Sequence, residues 1–174
     1  MQDNRVPDDA DLADLVGKLA SELTRLGWTM AAAESCTGGW IAKCCTDREG
    51  SSAWFDRGFV TYSNDSKQEM LGVEGQAIAD EGAVSRTVAM QMASGAKDSA
   101  ETEIAVAVTG IAGPEGGTAE KPVGSVWFAW ALEGSVAAQF IQFPGDREAV
   151  RRHAVQHALQ GLIDRLSSPT PKIR

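Results

Sequence analysis

The run Ile104-Ala-Val-Ala-Val108 constrains the fold more than any other part of the chain. Its apolar residues do not alternate with polar ones, so a strand made from them must be covered on both faces. A sheet with helices on either side does this. The run leads straight into Thr109-Gly-Ile-Ala-Gly-Pro114. A glycine-rich loop at the C-terminal end of a buried strand is where open α/β sheets bind their ligands.

The remaining elements fit around that strand. Leu12, Leu15, Val16, Leu19, Leu23 and Leu26 recur at helical spacing and stop at Gly27. Trp28–Ala33 follows as a short apolar strand, broken by Glu34-Ser-Cys-Thr-Gly-Gly39 into a helix from about Gly39 to Thr46. Phe55–Ser63 reads as a strand, and Asn64 or Asp65 as the cap of a short helix carrying Lys67 and Met70. Helices are expected over Glu74–Glu81 and over Ser85–Ala100, the second with Ser85 as N-cap. Two strands, Gly124–Leu132 and Ser135–Phe143, are joined by Glu133-Gly134 in a two-residue hairpin, which makes the sheet mixed. A last helix opens near Asp146 and turns Val155, Leu159, Leu162, Ile163 and Leu166 inward.

The expectation is an α/β fold, a three-layer α/β/α sandwich with a mixed sheet. A chain of 174 residues is one domain by size. Residues 9–166 form that domain, with flexible tails at residues 1–8 and 167–174.

Charge and composition exclude several functions. A net charge of −8 argues against non-specific nucleic-acid binding, which needs many cations against phosphates. No apolar stretch approaches the roughly 20 residues that span a bilayer, so no membrane partner is expected. The polar, acidic N-terminus does not resemble a signal peptide. Cys36, Cys44 and Cys45 lack CxxC spacing and fit reduced thiols in a cytoplasmic protein.

The chemistry concentrates in four loops: Glu34–Gly39, Thr61–Lys67, Thr109–Gly124 and Gly145–Arg147. At the strand-loop-helix junction after Ala33, the amides of Cys36, Thr37 and Gly38 lack helical partners and offer a seat for an anion. Ser35 stands there as a candidate nucleophile, although Ser35 and Thr37 equally fit plain helix caps. The only histidines, His153 and His157, sit four apart on the last helix, outside these loops, and lack the other ligands of a zinc pattern. That leaves Lys67 or Tyr62, the only tyrosine, as the base. A lysine stripped of water in a cleft loses its proton more readily and can activate a serine hydroxyl. Taken singly, Lys67 reads as a surface lysine and Tyr62 as a core aromatic. The 109–124 loop lacks the P-loop ending and the GxGxxG spacing. Arg147, at the start of a helix, suits a phosphate, or a solvated helix charge like Arg151 and Arg152.

Together, Ala-Glu-Ser-Cys-Thr-Gly-Gly (33–39), Phe-Val-Thr-Tyr-Ser-Asn-Asp-Ser-Lys (59–67), Gly-Ala-Val-Ser (82–85), Thr-Gly-Ile-Ala-Gly-Pro-Glu-Gly-Gly with Lys-Pro-Val-Gly (109–124) and Gly-Asp-Arg (145–147) closely resemble the CinA C-terminal domain family in its stand-alone form. The resemblance implies a cofactor-free and metal-free amidohydrolase that converts nicotinamide mononucleotide to nicotinic acid mononucleotide and ammonia in NAD recycling. It implies Ser35 as nucleophile, Lys67 as base and Tyr62 as an aid to proton transfer. Glu34, Cys36, Thr37, Gly38 and Gly39 would line the substrate with Thr109, Gly110, Ile111, Ala112 and Gly113, and Arg147 would hold the 5′-phosphate. It also makes a homo-oligomer the expected assembly. Two competing readings are a non-catalytic nucleotide-binding module and a cysteine-based redox protein.

Overall fold

The computed structural model describes residues 5–168, so residues 1–4 and 169–174 of the two expected tails lie outside the described residues. Its elements are α1 (Asp9–Leu26), β1 (Met30–Glu34), α2 (Trp40–Asp47), β2 (Phe55–Val60), α3 (Asn64–Leu71), α4 (Gly75–Glu81), α5 (Arg86–Ala100), β3 (Ile104–Gly110), β4 (Ser125–Leu132), β5 (Ser135–Gln142) and α6 (Arg147–Ser167). The five strands form one sheet in the order β2-β1-β3-β4-β5. β1 runs parallel to β2 and β3, while β4 and β5 pair antiparallel. The architecture is the α/β sandwich with a mixed sheet that the sequence pattern implies.

The two faces of the sheet differ in side-chain size. Met30, Ile104, Val106, Val108, Val126, Phe128 and Trp130 face a core shared with α1, α2 and α6. Ala31, Ala33, Ala105, Ala107, Ala129 and Ala131 face the opposite core, built on α5 with contributions from α3 and α4. Because side chains alternate across a strand, the Ile-Ala-Val-Ala-Val run gives its large residues to one layer and its alanines to the other. An alanine floor lets α5 lie close to the sheet.

Local signals explain the element boundaries. Asp8 caps α1 in a capping box with Asp11, and Arg5 donates to both carboxylates. Of the segment expected as an N-terminal tail, residues 5–8 are therefore tied to α1. β2 ends at Val60 rather than Ser63, and Ser63 caps α3 by accepting the Ser66 N–H, in place of Asn64 or Asp65. Ser63 wins because its extended backbone leaves its hydroxyl free to meet the first turn.

The junction after β1 differs from a simple serine or threonine cap. Glu34, the last residue of β1, is fully buried and accepts the N–H groups of Ile41 at 2.8 Å and Ala42 at 3.1 Å. A carboxylate supplied from seven residues upstream thus serves the N-terminus of α2, which favours negative charge. Ser35 and Thr37 make no such bond. Among the described residues no helix is long and apolar enough to cross a membrane.

The packing of α3 on α5 depends on Gly95. A Cβ there would stand 2.0 Å from the Leu71 carbonyl oxygen, which is main chain and cannot swing away. Gly95→Ala should therefore lower the unfolding free energy by about 1–3 kcal/mol through overpacking, against the gain of about 1 kcal/mol that alanine brings to a helix interior. Urea denaturation of the variant measures which effect wins, and a stabilised variant would refute this packing account.

Candidate active site

The strand order places a switch point at β1. The connection after β1 leads to β2 on one side and the chain then returns to β3 on the other, so loops diverge above the carboxyl ends of β1 and β3. Ser35 stands at this point. Its N–H donates to the Val108 carbonyl at 3.0 Å, which extends the β1–β3 ladder by one residue and fixes the serine backbone.

Lys67 reaches the same point from α3. Its Nζ lies 3.0 Å from Ser35 Oγ and donates to the carbonyls of Thr61 at 2.8 Å and Tyr62 at 3.2 Å. The side chain is 1% exposed and Ser35 8% exposed. Burial lowers the Lys67 pKa below the ordinary lysine value, since the charged form has lost its water. A neutral amine has two N–H bonds and one lone pair. In that neutral form, with both N–H bonds spent on Thr61 and Tyr62, the lone pair would be the group that meets the Ser35 hydroxyl. After it takes a proton, the same two carbonyls help to hold the ammonium. The distances suit proton transfer from serine to lysine.

The residues after Ser35 form a tight turn, closed by the Gly38 N–H donating to the Ser35 carbonyl at 3.0 Å. Gly38 and Gly39 then adopt left-handed backbone, with φ of 59° and 98°, before α2 begins. The amides of Cys36 and Thr37 donate to no other residue in the described structure. Of the three amides expected to seat an anion, Gly38 is used within the turn and these two remain. From behind, Arg151 on α6 donates through Nε to the Cys36 carbonyl at 3.0 Å and through Nη2 to the Thr37 carbonyl at 3.2 Å. In the sequence Arg151 reads as a solvated charge. The available signal was its spacing of four from Arg147, which puts both on one helix face.

Arg147 ties two more loops to this region. It donates to the Gly113 carbonyl at 2.8 Å and to the Tyr62 hydroxyl at 3.3 Å. Tyr62 is 63% exposed, so it is a rim residue and not a core aromatic, and it meets Lys67 through its carbonyl rather than its ring. Glu34 is committed to α2, as described above, and Thr109 is 1% exposed with its hydroxyl donated to the Ala83 carbonyl. Thr109 therefore fastens the Gly82–Ser85 loop beside the end of β3. Gly110 closes β3 against Val126, Ile111 donates its N–H to the Ser125 carbonyl, and Ala112 is buried in the core shared with α6. From this segment Gly113 reaches Arg147.

The alternative nucleophiles and bases are accounted for elsewhere. The His153 ring stacks on Phe143 at 5.5 Å, and His157 packs edge-on against Phe128 at 4.6 Å while its Nε2 meets Gln139 Oε1 at 3.0 Å. Burial lowers the pKa of both. All three cysteines are free and buried. Burial, with the Glu34 carboxylate adding to it, pushes the Cys36 thiol up to about 12, and burial takes Cys44 to about 11. Both stay protonated at neutral pH and are poor nucleophiles. Among the described residues no three His, Cys, Asp or Glu side chains gather into a metal-binding group.

Comparisons with known proteins agree with this architecture. The CinA C-terminal domain family matches residues 12–166. A relative from Escherichia coli strain K12, named nicotinamide-nucleotide amidohydrolase PncC, is 52% identical over 155 residues, covering 88% of this chain and 94% of its own. One of the same name from Pseudomonas putida is 47% identical over 152 residues, covering 87% and 95%. The crystal structure of the competence/damage inducible protein CihA from Agrobacterium tumefaciens superposes with a TM-score of 0.89 at 45% identity, covering 94% of this chain and 99% of that one. With the motif-bearing loops gathered at one sheet edge and the match running from α1 to the end of α6, the chain belongs to the CinA C-terminal domain family.

Proposed function

We propose that this protein is a nicotinamide-nucleotide amidohydrolase that converts nicotinamide mononucleotide and water to nicotinic acid mononucleotide and ammonia, as part of NAD recycling. The observation that carries this reading is the 3.0 Å contact between Lys67 Nζ and Ser35 Oγ in a buried site that lowers the lysine's proton affinity. The names of the relatives supply the substrate class.

The steps follow from the groups present. Lys67 takes the Ser35 hydroxyl proton as Oγ bonds to the carboxamide carbon, and the carbonyl electron pair moves onto oxygen. The Cys36 and Thr37 amides face that oxyanion. The intermediate collapses with cleavage of the carbon–nitrogen bond, and the Lys67 ammonium returns its proton to the departing nitrogen, giving ammonia and an acyl-serine. Water then attacks the acyl carbon, Lys67 takes its proton, and the acid leaves as Ser35 Oγ recovers a hydrogen. Arg147 binds the 5′-phosphate, and Tyr62 orients Arg147 and completes the rim. Residues 9–166 are the catalytic unit. This reading puts the protein in the cytoplasm, in keeping with its free buried thiols, and takes it as a homo-oligomer, as the family resemblance implies.

Ammonia release from purified protein tests the reading. Wild type should turn over, and Ser35→Ala and Lys67→Met should each lose at least about 10³-fold in kcat, as expected when a nucleophile or its base is removed. Binding of the mononucleotide by calorimetry with no product from wild type would instead identify a binding module. The pH dependence has a definite sign. Activity needs the neutral amine and the Lys67 pKa is lowered, so kcat/KM should rise with pH through a midpoint below 10.5. A rate that falls as pH rises across that limb would sink the lysine base. Arg147→Ala should raise KM for the mononucleotide by about 10–100-fold, the loss of one charged hydrogen bond, with kcat little changed. The same variant should bind the riboside, which lacks the phosphate, as wild type does. An equal loss with both substrates would contradict the phosphate assignment.

A further inference from the structure

We propose that Arg151 is a positioning residue for the acyl-transfer step, acting through the backbone of the Ser35–Gly38 turn and not through the substrate. The inference rests on the hydrolase reading above and extends it to a side chain outside the reacting groups.

The geometry is that of a clasp on two successive peptide groups. Arg151 holds the carbonyls of Cys36 and Thr37, and the cation also lies 5.1 Å from the centre of the Trp40 ring at the start of α2. In a trans peptide the N–H points opposite to the carbonyl of the same unit. Gripping the Cys36 oxygen from the α6 side therefore aims the Thr37 N–H away from α6. The Ser35–Gly38 turn is closed by its own Gly38-to-Ser35 bond, so its central peptide, Cys36–Thr37, is the unit whose rotation distinguishes one turn type from another. Rotated by half a turn, that peptide would present an oxygen where the reaction needs a donor. Arg151 opposes the rotation, and its positive charge polarises the Cys36–Thr37 peptide so that the Thr37 N–H attracts a developing anion more strongly.

Arg152 supplies a matched comparison. It also lies over Trp40, at 4.9 Å, but donates to Asp9, Glu148 and the Pro7 carbonyl and to nothing in the turn. A structural contribution from stacking on Trp40 is shared by both arginines. The clasp on the turn belongs to Arg151.

The test compares Arg151→Met and Arg152→Met in the full chain, reading ammonia release from nicotinamide mononucleotide together with melting temperature. Arg151→Met should lose about 10²-fold in kcat, the effect of losing one oxyanion donor, with KM changed by less than about threefold. Arg152→Met should keep the wild-type kcat while matching its loss of thermal stability. Arg151 borders a surface cavity of about 370 Å³ shared with Thr37, Gly38 and Trp40, so added guanidinium ion should restore part of kcat to Arg151→Ala. A wild-type kcat in Arg151→Met, a rise in KM alone, or equal losses of kcat in the two methionine variants would each overturn the proposal. If wild type releases no ammonia, the hydrolase reading fails separately, and the rate at which a fluorophosphonate labels Ser35 decides the inference. Slower labelling in Arg151→Met than in Arg152→Met sustains it, and equal rates overturn it.

Discussion

The site depends on a lysine that the fold keeps out of water without giving it a carboxylate. A buried ammonium is costly, and an acidic partner would reduce that cost by holding the proton on. Here Lys67 meets a serine hydroxyl and two main-chain carbonyls, which solvate either protonation state but do not lock in the charged one. The acid that does lie nearby in sequence, Glu34, is turned toward the N-terminus of α2. Diverting that carboxylate leaves the amine free to change its charge.

The rest of the molecule delivers those few atoms. The alanine face of the sheet brings α5 close, Gly95 lets α3 dock on α5, and the cap at Ser63 starts α3 where its second turn carries Lys67 to the end of β1. On the other face, α6 crosses beneath the nucleophile turn, so one helix supplies both Arg147 at the rim and Arg151 behind the backbone. Layers that look merely structural thus fix the relative positions of Ser35 and Lys67, which lie 32 residues apart in sequence.

Much of this was legible in the residue pattern. The doubly buried run at Ile104, the hairpin at Glu133-Gly134 and the helical spacing of α1, α5 and α6 are set by local periodicity and turn chemistry, and they emerge as read. The Ser35–Lys67 pairing was reached by elimination among scarce residue types, since only two histidines and one tyrosine were available. The assignments that shifted depend on where a side chain points in three dimensions. Glu34 and Thr109 sit in motif loops, yet both turn inward to bind main-chain groups. Arg151 is the converse case, because a helix arginine looks the same in sequence whether it meets solvent or two carbonyls.

The acceptors around Lys67 have one consequence for variation in this fold. Because Thr61 and Tyr62 contribute carbonyl oxygens, a side chain of similar size at either position supplies the same partners to the amine. Proton affinity at the site is written into the path of the chain between β2 and α3. Insertion, deletion or an amide-to-ester replacement in that connection would change it without adding any charge to the site.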